Sequence, residues 1–383
     1  MPIRLLNNTL LLSILPRLKI DKRGAFEMEE TGSLLLRDED CVGANPPTPK
    51  SLPDFQRLFP DEQACRTYLY SARFPDGFKC PYCNGIGTPY RFQNYPNMLR
   101  CRSCHRNTRL TAGTIMQKSQ VPLNTWFWGA FLVTSLTPGL SALQFQKMIG
   151  LNRYETAFNM LHKLRAAMVR PERDCIGGNW PVELDETYVG GETQGEGRGK
   201  HHKTLVGGIV EVRPRKGISG RDPNLPSGQR PQHRGGHGRS LIAGRLRLQV
   251  LPNRSQETLE PFVQANVRSG SEVRTDGWTG YDNLHKLGYR HRPVAIQGDQ
   301  AKTEQHLPMI HIVFGNLDTW LLGTHHGVSA KHLQNYLNEF VFRFNRRFWP
   351  MAAFDSVLKI ASHVKAPTNM EFYGDVGGVA KKS

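Results

Sequence analysis

The sequence predicts an α/β fold, a mixed sheet flanked by helices, preceded by a small metal-bound module and a short helical region. Three observations point to it. Four cysteines fall in two CxxC pairs between residues 80 and 104. Apolar residues between 121 and 169 recur at helical spacing, and after Trp180 the pattern changes to short runs rich in Val, Ile and Leu.

The 383 residues suffice for two or three domains, and 38% hydrophobic with 9% aromatic content excludes a globally disordered chain. Lys and Arg total 50 against 33 Asp and Glu, a net charge of +17. Such an excess favours a polyanionic partner, because each neutralised phosphate releases condensed counterions, although it also marks generally basic proteins. The cysteines are Cys41, Cys65, Cys80, Cys83, Cys101, Cys104 and Cys175. An odd count with paired CxxC spacing suits metal binding in a reducing compartment rather than a secreted disulfide framework. The apolar run from Thr9 to Leu15 is short, follows Asn7 and Asn8 and lacks a small-residue cleavage site. It reads as an upstream extension, with Met28 the candidate start, in preference to a signal peptide. No stretch reaches the roughly 18–20 apolar residues of a membrane span. The expected location is the cytoplasm, at the nucleoid.

Along the chain, residues 1–50 read as a disordered leader, 51–116 as a helical segment plus the cysteine module, and 117–175 as a helical DNA-binding region. Residues 180–362 form the sheet domain, with a basic loop at 214–240, and 363–383 form a disordered tail. Within 51–73, Ala64, Cys65, Tyr68 and Leu69 share one helical face. Three helices follow, in VPLNTWFWGAFLVTSL, SALQFQKMIG and RYETAFNMLHKLRAAM. The last carries a stripe of Tyr154, Ala157, Leu161, Leu164 and Met168. The Gly150-Leu151-Asn152 link suits a helix-turn-helix, and plain helical packing accounts for it equally. PVELDETYVG, TLVGGIVEVR and GRLRLQVL read as strands, QETLEPFVQANV as a helix, and SEVRT as a strand ending at Asp276, with another helix after it. Strand, strand, strand, helix, strand, helix is the order a ribonuclease-H-like domain needs.

The 214–240 loop holds six Arg or Lys, six Gly and four Pro, so it is no core element. It is either a DNA-contacting loop or an idle insertion. In KHLQNYLNEFVFRFNRR, Leu333, Tyr336, Leu337, Phe340 and Phe344 form a core stripe. Lys331, Arg343, Arg346 and Arg347 on that helix face either DNA or solvent.

Cys80-Pro-Tyr-Cys83 and Cys101-Arg-Ser-Cys104 stand 17 residues apart. Four thiolates enclose one tetrahedral Zn²⁺, each knuckle delivering two from one turn, and a closed four-ligand site is structural. Lys79, Arg91, Arg100, Arg102, Arg106 and Arg109 crowd this zinc ribbon and favour DNA contact.

Two carboxylates stand out. Asp185 interrupts an apolar strand in VELDETYVGG, and Asp276 ends a strand in VRTDGWTGY. A buried carboxylate is costly unless paired or metal-bound. Two at adjacent strand positions can hold two Mg²⁺ or Mn²⁺ ions for in-line phosphoryl transfer, although Asp is also common in turns. Glu183 and Glu186 are read as solvated or as supporting groups.

Taken together, the ribbon, TAGTIM, VELDETYVGG, TDGWTGYDNL, GTHHGVSAKHLQ and YLNEFVFRFNRR make the chain resemble bacterial insertion-sequence transposases of the DDE type with an amino-terminal zinc ribbon, the ISXO2-like group. The resemblance runs from about Asp54 to Phe354. It implies a DNA strand-transfer enzyme with Asp185 and Asp276 as catalytic carboxylates and His311 as the third ligand of the divalent ions, Glu304 being the substitute. Relatives usually carry a Lys seven residues after the third ligand, and this chain has Asp318. Residues 311 and 318 lie two turns apart on one helical face, so Asp318 implies impaired activity. The expected partners are element ends and target DNA, with a homo-oligomer in the synaptic complex. The competing readings are a ribonuclease-H-like nuclease without joining activity, and a catalytically decayed zinc-ribbon DNA-binding protein.

Overall fold

Side-chain caps begin the first two helices of the computed structural model, which describes residues 48–170, 173–190, 203–214, 241–294, 306–349 and 351–367, with a short antiparallel pair, β1 (Lys19–Ile20) and β2 (Phe26–Glu27). The rest of the leader, loop residues 215–240, Glu304 and the tail after 367 lie outside the described residues. Helix α1 (Leu52–Leu58) starts where the Ser51 hydroxyl accepts from the Asp54 N–H at 3.2 Å. Helix α2 (Glu62–Arg73) starts where Asp61 accepts from the Ala64 N–H at 2.8 Å. Two small antiparallel sheets follow. The first pairs β3 (Phe78–Lys79) with β4 (Ile86–Gly87), and the second joins β5 (Tyr90–Arg91), β6 (Met98–Arg100) and β7 (Asn107–Arg109).

Helices α3 (Leu123–Ser135), α4 (Ala142–Ile149) and α5 (Tyr154–Ala166) form the three-helix region expected from periodicity. α3 lies in the crotch of the other two, and Gly129 permits it: a Cβ there would stand 2.8 Å from Phe145 and 2.9 Å from Met160. Ala157, Leu161, Leu164 and Met168 are buried as the stripe requires, while Tyr154 is exposed with the first turn of α5.

The main sheet contains β8 (Val182–Val189), β9 (Thr204–Pro214), β10 (Leu241–Val250), β11 (Glu272–Thr275) and β12 (Arg290–Pro293), in the order β10-β9-β8-β11-β12. The first three run antiparallel, and β11 and β12 run parallel to β8 and β11 respectively, which is the ribonuclease-H-like arrangement. Helix α6 (Gln256–Asn266) and a 3₁₀ helix (Thr279–His285), where a helix was expected after Asp276, cover one face. Helix α7 (Pro308–Trp320), a π turn (Leu321–His325) and helix α8 (Ala330–Asn345) cover the other. Strand β12 escapes the apolar pattern because it is an edge strand of Arg, His, Arg and Pro.

The last helix, α9 (Met351–Ala361), differs from its expected place in the sheet domain. Phe354, Val357, Leu358 and Ala361 enter the amino-terminal core, where Phe354 packs against Phe55, Phe59, Phe127 and Phe131 at 5.6–6.3 Å between centroids. Tyr68 donates to Asp355 Oδ1 at 2.6 Å. Three of the cations on and after α8 also differ from expectation. Arg343 donates to the Leu136 and Thr137 carbonyls, Arg346 to Phe342, and Arg347 to Ala243 and Phe344. They serve backbone carbonyls rather than a free DNA-facing surface.

A buried polar seam locks α5 to α8. Arg165 Nε donates to Glu339 Oε2 at 2.8 Å with both side chains 1% exposed, and the guanidinium lies 4.0 Å over the Tyr336 ring. His162 packs among Phe158, His332 and Tyr336, and His325 packs against Trp320 and Tyr336. Burial holds His325 down at about 4, against the pull of Glu339 and with Arg165 and Arg343 reinforcing it. Burial pushes His162 lower still, with Arg165, His332 and His325 reinforcing it. Removing one partner of a buried pair strands the other charge. Glu339→Ala is therefore expected to lose about 3–5 kcal/mol in urea unfolding, and Arg165→Met with Glu339→Leu to regain most of it. The histidines add a pH dependence. Their folded pKa values lie below the unfolded value, so their contribution is intact above about pH 6.5. It falls as pH drops toward 4, by up to about 1.4 kcal/mol per unit for each. Between pH 7.5 and 5 the urea midpoint of the parent should fall relative to that of His162→Phe with His325→Phe.

Candidate active site and metal centre

Each cysteine knuckle is built by the same turn. The Cys80 N–H donates to the Gly85 carbonyl at 2.9 Å and the Asn84 N–H to the Cys80 carbonyl at 3.0 Å. The Cys101 N–H likewise donates to Arg106 at 3.0 Å and the His105 N–H to Cys101 at 3.1 Å. Asn84 and His105 both take left-handed backbone, at φ 57° and 56°. The four sulfurs converge, with Cys80 and Cys104 3.6 Å apart, Cys83 and Cys101 3.7 Å apart, and all within 4.8 Å of one another. Tetrahedral zinc with bonds of about 2.3 Å requires sulfurs about 3.8 Å apart, so the donor set fits. The Cys104 N–H and, against some desolvation, the Ser103 N–H hold the Cys101 thiol down at about 6, while against the Gly85 N–H the neighbouring sulfurs push Cys83 up to about 11, so the four thiols share their protons unevenly. Around the knuckles, Arg102 lies 4.3 Å over Tyr90 and Arg106 5.3 Å over Tyr82. Both tyrosines are exposed, so cations and rings share the outer surface.

The acid site starts from alternation along β8. Glu183 and Asp185 are two residues apart and share one face of the sheet, and Glu186 takes the other. On the first face lies α7, which opens with Pro308 and has no side-chain cap of its own. Glu183 supplies the acceptor instead: its Oε2 receives the Met309 N–H at 2.7 Å and the Ile310 N–H at 2.9 Å. Burial raises the Glu183 carboxyl to about 7 against these two donors. Opposite Asp185 is Gly208, where a Cβ would come within 2.7 Å of Phe314 and 2.8 Å of Ile310. Without a side chain there, α7 lies directly on the strand.

The helix so placed brings His311 Nε2 to 3.2 Å from Asp185 Oδ2. That nitrogen is buried and has no hydrogen-bond partner, while Asp185 Oδ1 accepts from the Glu186 N–H at 2.8 Å. Two donors of one octahedral cation at about 2.1 Å stand about 3.0 Å apart, so an unpartnered nitrogen facing a carboxylate oxygen fits a shared divalent ion.

Asp276 follows β11, which pairs with β8 through Val273↔Val182 and Arg274↔Glu183. Continued by two residues, that register sets Asp276 level with Asp185. Its carboxylate is engaged elsewhere: Oδ1 accepts from the Trp278 N–H at 3.0 Å, and Oδ2 stands 3.6 Å from Arg254 Nη2. Among the described residues, the cysteines are the one group of three or more candidate ligands that all lie within 4.8 Å. Asp185 and His311 are thus brought together, and Asp276 does not close on both.

Glu183 and Glu186, read from sequence as solvated or supporting, are both buried. Burial raises Glu186 to about 7, opposed by Arg254 and reinforced by Asp185 and Asp276. Arg254 gave no sequence signal, since it sits in the LPNRS turn. Glu183 had one, the period of two that pairs it with Asp185. Asp318 is exposed on the helix of His311. Desolvation raises its carboxyl above the usual range and Lys203 opposes that, so a cation stands near the acid. No helix among the described residues is long and apolar enough to cross a membrane.

A family model described as the ISXO2-like transposase domain matches residues 176–345, and another described as the transposase zinc-ribbon domain matches residues 60–107. The chain is 24% identical over 304 residues to an uncharacterized protein in transposable element ISH50 of Halobacterium salinarum, covering 75% of this chain and 92% of that one. No solved structure matches. The matched spans contain the converging cysteines and the sheet in and beside which Asp185 and Asp276 stand, and the chain carries an ISXO2-like transposase domain behind a transposase zinc-ribbon domain.

Proposed function

We propose that the protein binds the ends of an insertion sequence and catalyses metal-dependent DNA strand cleavage and strand transfer, with Asp185, Asp276 and His311 as the catalytic residues. The observation that carries this reading is the unpartnered His311 nitrogen 3.2 Å from Asp185 Oδ2, beside the strand that ends at Asp276. These three would hold two Mg²⁺ or Mn²⁺ ions, which supply Lewis-acid activation of the attacking oxygen and stabilisation of the leaving one. Glu183 fixes the start of α7 and with it the imidazole. The Glu186 N–H holds one oxygen of Asp185, which leaves the other directed at His311. The attacking oxygen is water's in cleavage and a 3′-hydroxyl's in joining.

DNA recognition is assigned to the zinc ribbon and the three-helix region. On the ribbon, Arg102 and Arg106 lie over exposed tyrosines. At the start of α5 the exposed segment runs from Asn152, before the helix, to Glu155 in its first turn, at the amino-terminal end where a recognition helix contacts base edges. Two ends held together for joining call for at least a dimer.

Asp185→Asn and Asp276→Asn are each expected to abolish cleavage and joining of an oligonucleotide carrying the element's terminal repeat, while gel-shift binding of that DNA persists. Residual turnover near the parent level in either variant would remove these residues from the chemistry. A second measurement concerns Asp318, whose negative charge shares a helical face with His311. Asp318→Lys is expected to raise strand-transfer yield about tenfold, the scale of exchanging repulsion for attraction at a phosphate. An unchanged yield would mean that Asp318 does not limit the reaction.

A further inference from the structure

Arg254 lies in the turn between β10 and α6 and bridges two carboxylates carried by different segments of the sheet. Its Nε donates to Glu186 Oε2 at 2.6 Å, and its Nη2 stands 3.6 Å from Asp276 Oδ2. The guanidinium is fixed in that position from behind. It lies 4.6 Å over the Trp278 ring, and the Trp278 indole N–H donates to the Arg254 carbonyl at 3.0 Å. Glu186 is the buried anchor, 1% exposed, with Oε1 lacking a hydrogen-bond partner. Arg254 itself is 27% exposed, so one side of it is open to solvent.

The geometry points to Arg254 as a built-in counter-cation at Asp276: a divalent ion binding there competes with the guanidinium, which thereby sets the cation affinity of the acid pair. This inference rests on the reading of Asp185, Asp276 and His311 as ligands. It accounts for Asp276 standing apart from the Asp185–His311 pair although the strand register sets it level with Asp185. A cation arriving at Asp276 must displace the guanidinium. Glu186 gives the displaced group a second carboxylate to stay with, so release from Asp276 does not leave a buried charge alone. Arginine suits this role because its fork of donors can keep one carboxylate while letting go of another.

The test is Mn²⁺ binding to the zinc-loaded full chain, followed by the paramagnetic resonance signal of free Mn²⁺. Arg254→Gln is expected to bind Mn²⁺ about tenfold more tightly, the scale of removing one neighbouring positive charge. Because that variant leaves Glu186 buried without its partner, Arg254→Gln with Glu186→Gln is measured beside it, with folding checked by circular dichroism. The double variant is expected to gain affinity in the same direction. If Arg254 merely braced Asp276, both variants would bind Mn²⁺ as the parent does or more weakly, and the inference would be overturned. Asp276→Asn separates the two levels. Lost Mn²⁺ binding there, with no gain in the Arg254 variants, removes the counter-cation alone. Retained Mn²⁺ binding removes the ligand reading and the counter-cation with it.

Discussion

Glu183 ties the sheet to the helix that carries the third candidate ligand, and the acid site depends on that tie. A carboxylate buried this deeply is costly in isolation. Here two backbone N–H groups at the start of α7 accept the role of partner, and the positive end of the helix adds to them. Because a strand alternates with a period of two, fixing the helix over Glu183 also fixes it over Asp185. Gly208 lets the helix come down onto the neighbouring strand. The distance between Asp185 and His311 is therefore a result of main-chain geometry more than of any contact between the two side chains.

The other end of the same helix leads into the π turn, where His325 and Trp320 meet Tyr336 and the Arg165–Glu339 pair. This seam joins the three-helix region to the sheet domain through charged and aromatic groups rather than through a purely apolar surface. Arg343 extends the seam to the carbonyls between α3 and α4. The region assigned to DNA recognition and the carboxylates assigned to chemistry are thus mechanically continuous, with α7 running between the two contacts. A buried polar interface of this kind tolerates little slippage, since any displacement strands a charge.

Features set by local chemistry were legible in the sequence. Two CxxC pairs state their ligand geometry within four residues each, and alternating Val, Ile and Leu announced β8, β9 and β10. Asp185 was legible because it interrupts an apolar run. What escaped notice depends on partners distant in sequence. The edge strand β12 pairs on one side only and shows no apolar pattern. Arg254 is one cation among many until the fold sets it between Glu186 and Asp276. The arginines on and after α8 looked like a surface stripe because the carbonyls they serve, at Leu136, Thr137 and Ala243, belong to other segments. The amphipathic pattern of α9 marks a helix but carries no indication of which core receives it.

That last helix has a consequence for biogenesis. The aromatic faces of α1, α2 and α3 are made before the side chains that seal them, which come from residues 354–361, more than two hundred residues after α3 ends. Until residues 354–361 have been made, Phe55, Phe127 and Phe131 lack their closing contact and the segment that carries them stays sticky toward other chains. A premature stop anywhere in the sheet domain would therefore damage the amino-terminal helices as well, although every one of their own codons had been read.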